Sequence, residues 1–181
     1  FSVPVVSSTS IVSALAPLVE YRTRYEYALG KWDIDKREFR GFGSVKTLND
    51  NGDYSVTTFK QDDYHLKSRP LVQSSYDKNN NLLSKSENIW KKKQLGTEAY
   101  FTYLERSDST IYDGNETGRR TAQTIEYDDY GNPTKAIALG EVDISTGNDI
   151  GEDKRVTVTE YHNNASSWLL GIPKHVTISD A

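Results

Sequence analysis

The stretch Arg37-Glu38-Phe39-Arg40-Gly41-Phe42-Gly43 places two aromatic residues, two glycines and three charged residues within seven positions. Its two glycines flank Phe42, so the backbone there can adopt a positive φ or approach a neighbouring strand closely. The two phenylalanines can anchor a bend in a core, and Glu38 lies between two arginines, with which it can form ion pairs. We interpret the stretch as a glycine-containing β-bulge fixed by aromatic side chains, with a ligand-binding loop as the alternative.

Bulk composition restricts the kind of protein this chain can be. It has 181 residues, a net charge of −4 and a hydrophobic content of 35%, and 12 of its residues are tyrosines. Tyrosine buries a ring while its hydroxyl stays hydrated, so we expect a thin or one-sided core, as in a sheet. Residues 1–181 would then form a single β-rich domain or a fragment of a larger protein.

The composition of the chain and the distribution of its charges exclude several functions. There is no cysteine, which rules out disulfides, thiol catalysis and cysteine-based zinc sites. Acidic and basic residues are mixed along the chain without a basic stripe, so nucleic-acid binding is not expected. No apolar run is long enough to cross a bilayer. The chain lacks methionine and begins at Phe1, so we expect a processed product or an excised fragment.

Alternation of side-chain character with a period of two dominates the chain, as in half-buried β-strands. Within residues 21–27 the odd positions are tyrosines and a threonine, and the even positions are charged. Stretches rich in Asn and Gly at 49–53, 78–81 and 128–133 favour tight turns between such runs. The predicted fold is all-β, an antiparallel, strongly twisted sheet of hairpins. The predicted strands span residues 3–12, 19–29, 41–49, 53–60, 70–77, 82–92, 97–106, 120–128, 133–143, 154–162 and 169–178.

A weak internal repeat combines a tyrosine with a polar turn. Ser75-Tyr76-Asp77 leads to Asn81, and Glu126-Tyr127-Asp128 leads to Gly131-Asn132-Pro133. In a third example, Tyr161-His162-Asn163 is followed, after Trp168, by Leu169-Leu170-Gly171-Ile172-Pro173. Each is interpreted as a strand that ends in tyrosine, a polar turn and the next strand. Their spacing is irregular, so a fixed-period solenoid is not predicted.

These segments together resemble one protein family. Residues 37–43 resemble a signature of the B components of bacterial insecticidal toxin complexes and of related plasmid-virulence B proteins, which are built on YD (Rhs-type) repeats. Gly30-Lys31-Trp32-Asp33 is similar to the family's approach to that signature. Lys67-Ser68-Arg69-Pro70-Leu71 resembles a Gly-Arg-Pro-Leu turn of the family, with Ser68 where glycine is common. The Tyr127 and Tyr161 stretches resemble YD-type strand–turn–strand units.

The resemblance implies that the chain is a segment of a hollow β-shell, from the middle region of such a B component. Long YD-repeat chains of this family enclose a C-terminal toxic polypeptide until it is delivered. The chain would be a non-enzymatic structural segment of a bacterial protein that is secreted or at the cell surface. Its implied partners are the remainder of the shell protein, the enclosed polypeptide and other toxin-complex subunits. The chain is too short to close a shell and lacks the family's Asp-Pro-x-Gly self-cleavage motif, so encapsulation would belong to a parent protein.

The residues that the sequence singles out are structural rather than catalytic. No catalytic residue, cofactor or metal site is predicted, because His65, His162 and His175 have no partner at a recognisable ligand spacing. The predicted structural signature consists of Trp32, Asp33, Arg37, Glu38, Phe39, Arg40, Gly41, Phe42, Gly43, Tyr127, Gly131, Asn132, Tyr161, Gly171 and Pro173.

Two other functions are open at this point. Trp32, Trp90 and Trp168, with the tyrosines, could line a sugar-binding surface of a secreted β-sandwich adhesin or carbohydrate-binding module. A hydrolase that acts through a carboxylate pair is the third hypothesis, although no residue pattern points to it. A shell segment should have exposed sheet edges and tend to self-associate, whereas a closed sandwich should stay monomeric.

Overall fold

The computed structural model describes residues 2–14, 19–112 and 117–180, and almost all of its regular structure is β-strand. The strands are β1 (Ser8–Val12), β2 (Glu20–Asp33), β3 (Glu38–Asn49), β4 (Tyr54–Phe59), β5 (Pro70–Tyr76), β6 (Leu82–Gln94), β7 (Tyr100–Ile111), β8 (Arg119–Tyr127), β9 (Pro133–Val142), β10 (Arg155–Asn164) and β11 (Leu169–Asp180). A 3-10 helix of three residues, Ala165–Ser167, lies before β11. The prediction of an all-β antiparallel fold is confirmed.

All eleven predicted strands occur, and their ends differ from the prediction by a few residues. The first was expected at 3–12 but begins at Ser8, and the second continues to Asp33 rather than 29. The turns after β3, β5 and β8 lie where Asn and Gly cluster, because these residues accept the positive φ that tight turns require. Gly52, with a φ of 91°, is an example in the turn between β3 and β4.

The chain forms two compact units, Phe1–Lys85 and Ser86–Ala181. In the first unit, β1 to β5 form an open antiparallel meander in which strands pair with their neighbours in the chain. In the second unit, β7 to β11 follow the same order. The sixth strand begins in the first unit and ends in the second. Short turns favour this order, since antiparallel strands need only a few connecting residues.

The described residues enclose very little apolar core. Within residues 2–14, 19–112 and 117–180, only three apolar side chains are buried, those of Leu66, Ala122 and Val142. Three polar residues are buried to the same degree, and two of them, Arg40 and Asp108, are charged. The expectation of a thin core is confirmed. Because the apolar core is thin, backbone hydrogen bonds between strands and buried ion pairs must hold the strands of each unit in place.

Asp108 on β7 is the centre of the most buried charge cluster in the second unit, with 3% of its surface exposed. Arg106 binds its carboxylate through two parallel hydrogen bonds of 2.7 and 2.8 Å. Arg120, on the neighbouring strand β8, donates from Nε at 3.0 Å. The same two arginines donate to the carbonyls of Gly147 and Ile144, at 2.7 and 3.0 Å. One carboxylate thus fixes two strands and the loop between β9 and β10.

The two arginines also determine the ionisation of Asp108. Burial raises the pKa of a carboxyl, but the hydrogen bonds and charges of Arg106 and then Arg120 outweigh burial and hold the pKa of Asp108 below its ordinary value of 3.8. Because the folded pKa is below the unfolded one, the resulting stabilisation is complete above the unfolded pKa. It is lost as the pH falls through the folded pKa.

We expect Asp108→Asn to lower the free energy of unfolding at neutral pH by about 3 kcal/mol, because it leaves two arginines without their buried counter-charge. Urea denaturation measures this loss as a lower unfolding midpoint. The stability of the variant should also fall less steeply below about pH 4, since one titrating carboxylate is gone. Arg119→Gln is the matched control, because Arg119 is exposed and pairs with Glu141 at the surface. Equal losses in the two variants would contradict the role of Asp108.

Candidate functional site

The signature segment, residues 37–43, lies at the start of β3 opposite the end of β2. Gly30 pairs with Phe42 and Trp32 pairs with Phe39, so β3 has one residue more than β2 between these pairs. Gly41 lies within this insertion and has a φ of 90°, a conformation that favours glycine. The structure therefore contains the glycine bulge that the sequence predicts.

Aromatic rings cover one side of this bulge. The rings of Phe39 and Phe42 meet edge to face at 5.1 Å, and Tyr27 lies 4.9 Å from Phe42. Trp32 and Val3 join the two phenylalanines around an apolar pocket of about 390 Å³. Edge-to-face ring contacts add to the area buried by each ring, so this cluster anchors the bend as expected.

The loop between β4 and β5, residues 60–69, packs against the bulge. Its ends are closed by backbone hydrogen bonds between Lys60 and Arg69 and between Ser68 and Lys60, both 2.9 Å. The Gln61 side chain donates to the carbonyls of Leu29 and Gly41, both at 2.8 Å. Gln61 thereby joins the bulge to Leu29, which holds a φ of 57°. No sequence pattern pointed to Gln61, because its partners are backbone carbonyls distant in the chain.

Glycine is required at two positions by this close approach. A Cβ on Gly43 would lie 2.8 Å from the Gln61 Oε1 and 2.9 Å from the Leu29 Cβ. A Cβ on Gly41 would lie 2.8 Å from the Ser68 Oγ. Ser68 itself has a φ of 61°, which explains why glycine is common at the corresponding position of the resembling turn.

Charged side chains connect the bulge with the loop. Arg40 pairs with Asp33 across the hairpin, and Glu38 accepts a hydrogen bond of 2.5 Å from Lys67. The Tyr64 ring lies 5.2 Å from the Arg40 guanidinium carbon and 4.4 Å from the Lys67 Nζ, within cation–π range. The backbone N–H of Lys36 and then the hydrogen bond from Arg40 lower the pKa of Asp33.

The ion pairs differ in part from the sequence expectation. Glu38 was expected between Arg37 and Arg40, but its strong partner is Lys67, and Arg40 Nε lies 3.9 Å away. Arg37 occupies the turn with a φ of 51°. The reason is the bulge, which rotates Arg40 inward towards Asp33 and brings Glu38 beside the loop.

Gly43→Ala should destabilise the chain by about 2 kcal/mol, because the added methyl overlaps Gln61 and Leu29 in a site that cannot relax without losing the Gln61 hydrogen bonds. Gly30→Ala is the matched control in the same hairpin, since its Cβ would meet atoms only at 3.4 Å and beyond. Urea denaturation of both variants measures the difference. A cost at Gly30 that equals or exceeds the cost at Gly43 would contradict the close-packing argument.

Two turns of the chain share one hydrogen-bond pattern and are called here the Tyr-Asp turns, residues 76–81 and 127–132. In the first, the Asp77 carboxylate accepts from the backbone N–H groups of Asn79 and Asn81, both at 2.8 Å. Asn80 takes a positive φ of 67°, and Asp77 N donates to the Asn81 carbonyl. These hydrogen bonds lower the pKa of Asp77, with Asn81 contributing most.

The second Tyr-Asp turn repeats this pattern position by position. The Asp128 carboxylate accepts from the N–H groups of Tyr130 and Asn132, both at 2.9 Å, and Gly131 has a φ of 87°. The Asn132 side chain adds a hydrogen bond of 2.9 Å to the same carboxylate. The Tyr127 hydroxyl donates to the Leu104 carbonyl at 3.2 Å, which fixes the turn to β7.

The third predicted repeat, around Tyr161, does not form such a turn. Tyr161 was expected at the end of a strand, but β10 continues past it to Asn164, and the connection is the short 3-10 helix. A bulge between the Glu160–His175 and Tyr161–Pro173 pairs interrupts the ladder of β10 with β11. His162 stands where the Tyr-Asp turns have the aspartate, so no carboxylate is present to collect the backbone N–H groups.

The segment around Tyr161 instead stabilises the second Tyr-Asp turn. Asn163 donates to the Asp128 carboxylate at 3.2 Å and accepts from the Gly171 N–H at 2.9 Å. Gly171 has a φ of 79°, and a Cβ there would lie 2.5 Å from the Asn132 Oδ1. Asn132 and Gly171, singled out separately in the sequence, therefore meet at one point of the second unit.

Asp128→Ala should cost about 2 kcal/mol of unfolding free energy, because it removes four hydrogen bonds that close the turn and hold Asn163. Asp129→Ala, one position along, is the matched control and should have little effect, since Asp129 is exposed and contacts only the exposed Lys93 among the described pairs. Thermal unfolding followed by circular dichroism compares them. A loss at Asp129 as large as at Asp128 would contradict the repeated turn as a stabilising unit.

The described residues contain no group of three or more His, Asp or Glu side chains arranged to hold a metal ion. None of their helical segments has the length or hydropathy to span a membrane. The described strands of each unit define one class of fold, an open antiparallel β-meander, in which the Gly41 bulge and the Tyr-Asp turns lie.

Comparison with known proteins narrows this class. Residues 1–73 match the family described as the insecticide toxin TcdB middle/N-terminal region. This match confirms the resemblance of that part of the chain to the middle region of a toxin-complex B component. No curated protein sequence matches the chain.

Solved structures extend the fold comparison to most of the chain. The crystal structure of TcdB2-TccC3 superposes with a TM-score of 0.69 at 15% identity, over 88% of this chain and 12% of that one. The Tc holotoxin pore of Photorhabdus luminescens superposes with a TM-score of 0.69 at 14% identity, over the same shares of the two chains. The chain thus has the fold of a segment that makes up about one eighth of these much larger proteins.

Proposed function

We propose that this chain is a non-enzymatic wall segment of a bacterial, secreted YD-repeat toxin-complex protein, which encloses a toxic polypeptide and helps to deliver it. The observation that carries the proposal is the family match over residues 1–73 together with the shared fold over 88% of the chain. The matched structures are complexes of TcdB2 with TccC3, and we propose a comparable toxin component as the partner here.

The physical character of the chain supports a structural role. A wall needs a sheet that keeps its curvature without a thick core beneath it, and glycine bulges provide such curvature. The bulge at Gly41 is fixed by loop 60–69, and the Tyr-Asp turns are fixed by carboxylates at their corners. These devices hold the backbone in place where the thin core cannot.

The carbohydrate-binding alternative loses its structural premise. It required a β-sandwich, whereas in each unit the strands pair with their chain neighbours in an open meander. Trp168 lies in the connection before β11 and is 83% exposed, and Trp32 packs in the pocket beside Phe39.

The decisive experiment is the size of the native protein that contains this chain. An antibody raised against residues 1–181 should detect, in bacterial lysate and culture supernatant, a band many times larger than 20.5 kDa. In the purified native protein, limited proteolysis should leave the enclosed polypeptide intact until the shell is denatured, after which it should be digested. A native band near 20.5 kDa, or an equal digestion rate before and after denaturation, would contradict the proposal.

A further inference from the structure

The turn between β3 and β4, residues 49–53, has the same backbone form as the first Tyr-Asp turn. The N–H of its first residue donates to the carbonyl of its last residue at 2.9 Å, and the N–H of its fourth residue donates to the carbonyl of its first residue at 3.0 Å. The corresponding distances in residues 77–81 are 3.0 and 3.1 Å. Asn51 and Asn79 therefore occupy the same, third position of two equivalent turns.

The two turns differ in the residue that follows this asparagine. Gly52 follows Asn51 with a φ of 91°, whereas Asn80 follows Asn79 with a φ of 67°. All four residues are exposed. Because Gly52 has no Cβ, its backbone nitrogen is open to approach by the preceding side chain, whereas Asn80 carries a Cβ beside the corresponding nitrogen. Asn51 is the only asparagine in the 181-residue sequence that precedes a glycine.

Hydrogen bonds to the Asn51 side chain favour attack on its carbonyl carbon. The backbone N–H of Asp53 donates to Asn51 Oδ1 at 3.0 Å, which draws electrons away from Cγ. The Asp53 carboxylate accepts from Asn51 Nδ2 at 2.7 Å, so the whole amide is held at the turn. The Asn51 amide is therefore polarised next to the least hindered backbone nitrogen that an asparagine of this chain can reach.

We propose that Asn51 is a site of spontaneous covalent modification, at which the Gly52 nitrogen closes a cyclic imide that water then opens to aspartate or isoaspartate. The Gly52 nitrogen loses its proton and forms a bond to Asn51 Cγ, while the Cγ–Nδ2 bond breaks and ammonia leaves with that proton. Water then adds across one C–N bond of the imide. Opening at the side-chain carbonyl gives aspartate, and opening at the main-chain carbonyl gives isoaspartate.

The modification loosens a turn that is joined to two other segments. Asp50 accepts from the Arg22 N–H on β2 at 2.5 Å, and Asp53 accepts from the Lys78 N–H in the first Tyr-Asp turn at 3.1 Å. A carboxylate at position 51 cannot donate to Asp53, so two like charges replace a hydrogen bond. Isoaspartate also adds a methylene to the main chain, which shifts the groups that close the turn. The inference is independent of the proposed wall function, because the reaction needs only this turn and water.

Ageing of the folded 181-residue chain in buffer, followed by peptide mapping with mass spectrometry, tests the proposal. Residue 51 should gain the mass that separates an acid from an amide, and electron-transfer fragmentation should identify both aspartate and isoaspartate there. Conversion should be faster at mildly alkaline than at mildly acidic pH, because the Gly52 nitrogen attacks after losing its proton. Asn79 is the internal control and should convert about tenfold more slowly, since the residue after it has a Cβ.

An exchange of the following residue tests the cause. Gly52→Asn gives this turn the residue of the first Tyr-Asp turn, and asparagine tolerates a positive φ. The new Cβ would lie 3.0 Å from the Lys78 Cβ, so only a small shift is needed. Gly52→Asn should slow conversion at Asn51 about tenfold, and Asn80→Gly should speed conversion at Asn79 by a similar factor. Urea midpoints near the wild-type value would show that each variant is folded.

The remaining outcomes overturn the proposal. Conversion at Asn79 that is as fast as at Asn51, or conversion at Asn51 that Gly52→Asn leaves unchanged, would remove the role of glycine. Aspartate without isoaspartate would exclude the imide and indicate direct hydrolysis of the amide. An Asn51 amide that survives ageing in the folded chain but is lost in urea would show that the turn prevents ring closure. Unchanged hydrogen exchange at Lys78 after conversion would contradict the loosening of the turn.

Discussion

The antiparallel backbone ladder is the interaction on which the rest of this structure depends, because only Leu66, Ala122 and Val142 supply buried apolar side chains among the described residues. A sheet with so thin a core gains little from hydrophobic burial and must prevent its strands from slipping or splaying. Side chains that bind backbone groups perform this task. Their positions at bulges, turns and loop crossings determine the path of the chain.

Two kinds of carboxylate interaction hold the backbone in place. Asp108 joins β7, β8 and a loop through two arginines, so a single group couples three segments that are distant in sequence. Asp77 and Asp128 each close a turn by collecting backbone N–H groups. A buried ion pair is costly to form but more costly to break, which makes such a cluster specific to one arrangement.

Sequence patterns predicted the elements well, because strand and turn preferences are local. The alternation within residues 21–27 and the Asn- and Gly-rich stretches located strands and turns to within a few residues. The bulge at Gly41 was also predicted, since a glycine pair around an aromatic is a local signal. The prediction of a third strand–turn–strand repeat at Tyr161 was wrong, because a histidine at position 162 cannot accept hydrogen bonds from several backbone N–H groups as an aspartate does.

The sequence by itself determined the all-β class, the strand order expected of short turns, and the glycine bulge at Gly41. Tertiary structure alone decided the partners of the charged groups and the role of Gln61. Glu38 binds Lys67, and Gln61 donates to Leu29 and Gly41, across separations of 20 to 32 residues. Such contacts depend on how the hairpins fold over one another, and no local preference encodes that arrangement.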